Sequence, residues 1–185
     1  MTEFALHTVD SAPENAKKRL EGAQQKMGFL PNLFAKMAEA PALLEAYQTL
    51  DEIFSRTSLT PAQQQVALLA ISSVNGCQFC VAAHTGGAQA VKVSKGDIEK
   101  LRELKNPDDL ELKAVSRFVK HLVEARGWAA EDEVEAFLEA GFEKQQLLEL
   151  VIAVSLKTLS NFTNHIAGTP LNEELKSLEW QDPRG

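Results

Sequence analysis

Residues 59–88, LTPAQQQVALLAISSVNGCQFCVAAHTGGA, contain both cysteines of the chain, Cys77 and Cys80, and one of its four histidines, His84. Thr60-Pro61 opens a helix with a cap followed by proline. Val66, Leu69, Ala70 and Val74 extend it, and Asn75-Gly76 stops it, with Gly76 as the left-handed residue. A second helix must begin at or beside Cys77 and run through His84 toward Ala90, its last turn weakened by two glycines. On that helix positions 77, 80 and 84 are three and four residues apart and share one face.

Helical patterns continue on both sides. Pro13 to Met27 reads as a helix with Ser11 as its cap and Gly28 as its stop. From Pro31 to Phe54, apolar residues at three-and-four spacing give two amphipathic helices broken near Pro41. Ser94 caps a short helix ending near Lys105, and Asn106-Pro107 turns the chain. Asp108 to Arg126 forms a long amphipathic helix closed by Gly127, and Glu131 to Ala140 and Glu143 to Ile166 supply two more. No strand pattern appears, so the fold class is all-α. The expected organisation is one domain over 1–185, with 1–12 an extended N-terminal arm and 169–185 a polar tail that folds back or reaches a neighbouring subunit. A shift of 81 positions places Gln64, Gln65, Ile71, His84 and Gly87 on Gln145, Gln146, Ile152, His165 and Gly168. Chance plus shared periodicity is the preferred reading of this echo.

Composition narrows the function. Apolar residues make up 44% and charged residues 24%, with a net charge of -7, as in an ordinary globular chain. Scattered acidic residues and no basic face argue against nucleic acid or an anionic membrane as partner. The apolar runs Val66 to Val74 and Leu147 to Leu156 are too short to span a bilayer, and the N-terminus lacks a signal pattern, so the expected location is the cytoplasm. Two thiols in that reducing compartment point to chemistry rather than to a structural disulfide.

A thiol at a helix N-terminus meets unpaired N–H groups and the positive end of the helix dipole, and both favour thiolate. His84, one turn beyond Cys80, is placed to accept or return a proton, directly or through water. The three residues can thus serve as nucleophile, resolving thiol and proton shuttle. Other readings compete. Each cysteine could be a small buried hydrophobe and the histidine merely hydrogen-bonded. Zinc could use Cys77, Cys80 and His84 with His165 or His121, but the usual distant ligand pair is missing. Haem attachment needs histidine directly after the second cysteine, where Val81 stands. A thioredoxin-like unit needs a preceding strand. No cofactor or metal is therefore expected.

The 59–88 stretch resembles the signature of the AhpD-like alkylhydroperoxidase and carboxymuconolactone decarboxylase superfamily, in which CxxCxxxH follows an Asn-Gly turn. The flanks PNLFAKMAEAPALLEAY and LKTLSNFTNHIAGTPLN are similar to its peroxidase-related branch, so the likeness covers most of 29–172. It implies an AhpD-like helical bundle that assembles into homo-oligomers. It also implies that Cys80 attacks the peroxide, Cys77 resolves it and His84 relays protons. Peroxidase members carry a relay glutamate twelve residues before the first cysteine. Here that position is Gln65, flanked by Gln63 and Gln64, and an amide can orient His84 or a water but cannot take a proton. Phe79, where some members carry histidine, makes the site more apolar or packs in the core. The decarboxylase branch generally lacks the cysteine pair, which disfavours lactone decarboxylation. The expected function is a thiol-dependent peroxidase acting on organic hydroperoxides or hydrogen peroxide and reset by an external dithiol reductant. The alternatives are a dithiol–disulfide oxidoreductase without peroxide turnover and a non-enzymatic redox-sensing oligomeric protein.

Overall fold

In the computed structural model, which describes residues 3–185, the chain forms nine α-helices and a terminal 3₁₀ helix. They are α1 (Glu14–Met27), α2 (Asn32–Met37), α3 (Pro41–Ser55), α4 (Pro61–Val74), α5 (Gln78–Ala90), α6 (Lys95–Arg102), α7 (Leu110–Glu124), α8 (Glu131–Glu139) and α9 (Lys144–Ala167). The 3₁₀ helix is Glu173–Leu178. Among the described residues the fold is all-α, a helical bundle. Residues 1 and 2 of the expected N-terminal arm lie outside the described residues.

The central element is α4. Val66 through Ser73 are all buried, so this helix is apolar around its whole circumference, as a helix enclosed by others must be. It packs against α5, α6, α7 and α9. Its start is fixed by a complete capping box, in which the Thr60 hydroxyl accepts from the Gln63 N–H and the Gln63 side chain accepts from the Thr60 N–H. Amphipathic α7 covers one side with Leu112, Val115, Phe118, Val119 and Leu122. Phe137 of α8 joins it by stacking on Phe118 and on Phe142, with ring centroids 4.9 and 4.4 Å apart.

Most expected boundaries hold to within a few residues. The expected cap Ser11 does not cap α1; its hydroxyl accepts from the Thr8 N–H at 2.9 Å in the preceding turn, and Pro13 stands at the N-cap. Residues 64–87 form two helices broken at Asn75-Gly76, whereas 145–168 belong to a single helix and its C-cap, so the 81-residue echo does not mark a repeated helix pair.

The tail lies back on the bundle. Trp180 is buried and its indole N–H donates to the Arg102 carbonyl at 2.8 Å. Arg102 in turn donates to the carbonyls of Leu178 and Glu179 and to the Thr85 hydroxyl. Arg184 donates to the Ser73 and Val74 carbonyls at the end of α4, where a helix leaves acceptors unpaired. Gly86 makes the close approach possible, because a Cβ there would lie 3.1 Å from Leu178 Cδ1. Among the described residues no helix is long and apolar enough to cross a membrane.

Trp180 fastens this strap by packing and by one hydrogen bond. Trp180→Ala should therefore cost about 3 kcal/mol, within the range for truncating a buried aromatic. Urea unfolding followed by helical circular dichroism measures the loss.

Candidate active site

The turn at Asn75-Gly76 delivers the cysteines. Gly76 takes a left-handed backbone with φ of 68°, the Cys77 N–H closes back on the Ser72 carbonyl at 3.0 Å, and Cys77 becomes the N-cap of α5. Cys80 then sits in the first turn and His84 one turn further on, as the spacing requires. Both thiols are 1% exposed and free.

Helix α9 supplies the opposing face. Asn164 donates its side-chain amide to both sulfurs, at 3.4 Å to Cys77 Sγ and 3.2 Å to Cys80 Sγ. Two turns earlier, Lys157 has no exposed surface, and its Nζ lies 2.9 Å from His84 Nε2. The other ring nitrogen, Nδ1, lies 3.1 Å from Gln65 Oε1. These contacts assign the tautomer: lysine donates to Nε2, so the ring proton is on Nδ1 and the Gln65 carbonyl accepts it. Gln65 is held close to α5 by Gly87, where a Cβ would meet its Oε1 at 2.3 Å.

The electrostatics follow from this enclosure. Burial by itself pushes the Cys80 thiol up, but the Cys77 S–H, the Lys157 charge and the Ser160 and Asn161 side chains outweigh it and bring Cys80 down to about 5. Cys77 moves far the other way, since Cys80 accepts its proton and burial adds to the shift. Burial first, and then the Lys157 charge, hold His84 well below the usual imidazole range, so it is neutral. Tyr47 of α3 is buried nearby, and burial followed by the charge of Asp51 holds its phenol well above the usual range. The arrangement favours a thiolate at Cys80 and a thiol at Cys77, which can condense once one of them is oxidised to a sulfenic acid, with a lysine in the same enclosure.

The structure brings Cys77, Cys80, His84 and Gln65 into one cluster. His84 does not meet a sulfur, because both its nitrogens are taken by Gln65 and Lys157. Phe79 is 6% exposed and belongs to the core. His121 accepts from the Ala130 N–H and His165 is exposed, and among the described residues no three His, Cys, Asp or Glu side chains gather as a ligand set. Lys157, Ser160, Asn161 and Asn164 escaped the sequence reading. The available signal was a polar series at helical spacing on the same face as Leu150, Ala153 and Leu156, all of which are buried.

A cavity of about 450 Å³ adjoins the site, lined by Leu122, Val123, Val151, Val154 and Phe162, with Asn75 and Arg126 among its polar residues. Asn75 Nδ2 donates to Asn161 Oδ1 at 2.8 Å, and Asn161 also flanks Cys80, so this amide pair lies between the cavity and the thiolate. A second cavity, of about 350 Å³ between α7 and α8, has none of these residues in its lining.

Residues 41–109, which include the cysteine turn, match the carboxymuconolactone decarboxylase family. The whole chain has the fold of a peroxidase-related protein with an AhpD core from Ralstonia eutropha JMP134, at 22% identity and TM-score 0.83, with 94% of this chain and 93% of that one covered. A peroxidase-related protein from Silicibacter sp. TM1040 aligns at 20% identity and TM-score 0.80 over the same shares of the two chains. Residues 41–109 thus carry the pattern of that family, and nearly the whole chain has the AhpD-like fold. The debrominase Bmp8, in its C82A form bound to 2,3,4-tribromopyrrole, shares the fold at 15% identity and TM-score 0.79, with 96% of this chain and 95% of that one covered. No curated protein matches the chain in sequence.

The electrostatic balance is directly measurable. In the reduced protein the ultraviolet absorbance of thiolate should fall as the pH is lowered through about 5, and Cys80→Ser should remove that step while Cys77→Ser leaves a thiolate transition in place.

Proposed function

We propose that this AhpD-like protein is a thiol-dependent peroxidase in which Cys80 is the attacking thiolate and Cys77 the resolving thiol. The observation that carries the reading is the pair itself: two free, buried thiols one helical turn apart share the Asn164 amide, at 3.4 and 3.2 Å, and the electrostatics favour Cys80 as the thiolate. The peroxidase-related structural neighbours support the same class of chemistry.

The reaction divides into two oxidative steps. Cys80 S⁻ attacks the distal oxygen of ROOH, the O–O bond breaks, and the departing alkoxide takes a proton to leave as ROH, giving Cys80–SOH. The Cys77 sulfur then attacks the Cys80 sulfur, the S–O bond breaks and water leaves, giving the Cys77–Cys80 disulfide. Lys157, hydrogen-bonded to neutral His84, keeps its proton and stabilises the departing alkoxide by its charge while solvent supplies the proton, and His84 and Gln65 keep the ammonium aimed inward. Two external thiols must return the disulfide to the dithiol. The apolar lining of the neighbouring cavity suits an organic hydroperoxide, reached past Asn75 and Asn161.

Peroxide consumption by purified protein with an added dithiol tests the reading against a dithiol–disulfide oxidoreductase, a redox sensor, or chemistry on another electrophile such as a halogenated ring. Wild type should turn over, Cys80→Ser should lose activity by at least about a hundredfold, and Cys77→Ser should complete one attack and retain a trappable sulfenic acid on Cys80. Labelling of Cys77 in the Cys80→Ser protein would reverse the roles.

The same reading includes assembly into homo-oligomers. Leu148 and Ile166 of α9, the helix that also carries the residues facing the thiols, are 66% and 70% exposed. Light scattering should return a multiple of the 20.3 kDa chain mass at micromolar concentration.

A further inference from the structure

Lys157 presents a problem that the peroxidase steps alone do not resolve. It has no exposed surface and, among the described residues, forms no ion pair. Its one hydrogen-bond partner from a side chain is a neutral imidazole. An enclosed ammonium is strongly disfavoured unless an opposite charge lies close by. The groups facing it are few. Helix α5 presents Cys77, Cys80 and His84, and α4 presents the uncharged Gln65. Helix α3 presents the buried Tyr47 phenol and, at the surface, Asp51, which is exposed and forms no ion pair with the lysine. On α2, Lys36 is engaged elsewhere, on the Phe4 carbonyl. The ionisable acid enclosed with it is Cys80, 1% exposed and one turn from His84 on α5.

We propose that Lys157 is the positioning cation of this site: its charge balances the Cys80 thiolate across the shared enclosure and thereby makes the Cys77–Cys80 disulfide an oxidising one that small monothiols can reset. The inference rests on Cys77 and Cys80 being a redox pair. In the disulfide form neither sulfur carries charge, and the ammonium is buried without a partner. Reduction restores the pair. Oxidising disulfides in general owe their potential to this kind of stabilisation of the reduced form.

The resetting step balances as follows. A reductant thiolate R–S⁻ attacks Cys77 Sγ, the S–S bond breaks, and the electron pair leaves on Cys80 Sγ beside Lys157, where a low-pKa leaving group departs fastest. A second R–S⁻ attacks the reductant sulfur of the mixed disulfide. R–S–S–R is released, and Cys77 leaves as a thiolate that takes one proton. Two electrons reach the pair and one proton stays with it, so of the two protons carried in by two R–SH, one goes to solvent.

That proton count provides the test. The disulfide is formed with diamide, so the experiment does not depend on peroxide turnover, and the protein is equilibrated with glutathione buffers. In wild type, the ratio of reduced to oxidised protein at fixed glutathione composition should rise about tenfold per pH unit between about pH 6 and 8, where glutathione itself remains a thiol. In Lys157→Met, which keeps the length and apolar stem of the side chain, the ratio should become nearly independent of pH. At neutral pH it should fall about a hundredfold, the factor that separates a thiolate titrating at about 5 from one that is protonated. Lys157→Arg, which keeps the charge, should retain the pH slope. A flat profile in wild type overturns the proposal without any variant, and so does an unchanged slope in a folded Lys157→Met. Failure of diamide to form the intramolecular disulfide overturns the redox-pair reading and this proposal with it, whereas a disulfide with a flat profile overturns the role of Lys157 alone.

Discussion

An ammonium enclosed by protein is stable only where opposite charge and hydrogen-bond acceptors have been built around it, and the contact between α5 and α9 is built on that requirement. Lys157 contributes the charge, Cys80 can answer it, and His84 accepts one of its N–H bonds. Asn164 holds the two sulfurs one helical turn apart in the same enclosure. The interaction is mutual. The Cys77 S–H and then the lysine charge favour the Cys80 thiolate against the cost of burying it, and a thiolate there in turn lowers the cost of burying the lysine.

The rest of the molecule holds those two helices in register. Helix α4, enclosed on all sides, sets the position of the Asn75-Gly76 turn and therefore of the α5 N-terminus. The same helix carries Gln65 to the far side of His84, and Gly87 leaves room for it. From outside, the tail closes over the end of α4 and the flank of α5 through Trp180, Arg184 and the contact of Leu178 with Gly86. Among the described residues, one atom of each of two buried amides, Asn161 Nδ2 and Asn164 Oδ1, has no hydrogen-bond partner within standard geometry. Groups of this kind are costly in a core, and here they border the position that a polar reactant oxygen would occupy.

The departure from the family pattern at position 65 takes on a physical meaning in this setting. A carboxylate at that position would pull a proton toward the imidazole and raise its basicity. A neutral amide leaves His84 uncharged, with its ring proton directed at Gln65 and its free nitrogen at Lys157. The positive charge beside the thiol thus sits on an amine rather than on an imidazolium. The neutral amide at position 65 and the lysine at position 157 are two parts of one electrostatic arrangement, joined through the two nitrogens of His84.

Much of this protein was legible in its sequence, because local rules govern the parts concerned. Proline and capping residues at Thr60-Pro61, the Asn75-Gly76 stop and the three-and-four spacing of apolar residues fix where helices begin, end and face, and these depend on neighbours a few positions away. The placement of Cys77, Cys80 and His84 on one face of one helix follows from the same periodicity. Tertiary structure alone decided what faces them. Lys157, Asn161 and Asn164 stand 73 to 87 positions from the residues they serve, and in the sequence they read as the polar side of an amphipathic helix. Pattern cannot show that this polar series lies on the buried side of α9, because burial depends on which helix packs against which. That packing turns a lysine that would ordinarily be solvated into the charge at the centre of the site.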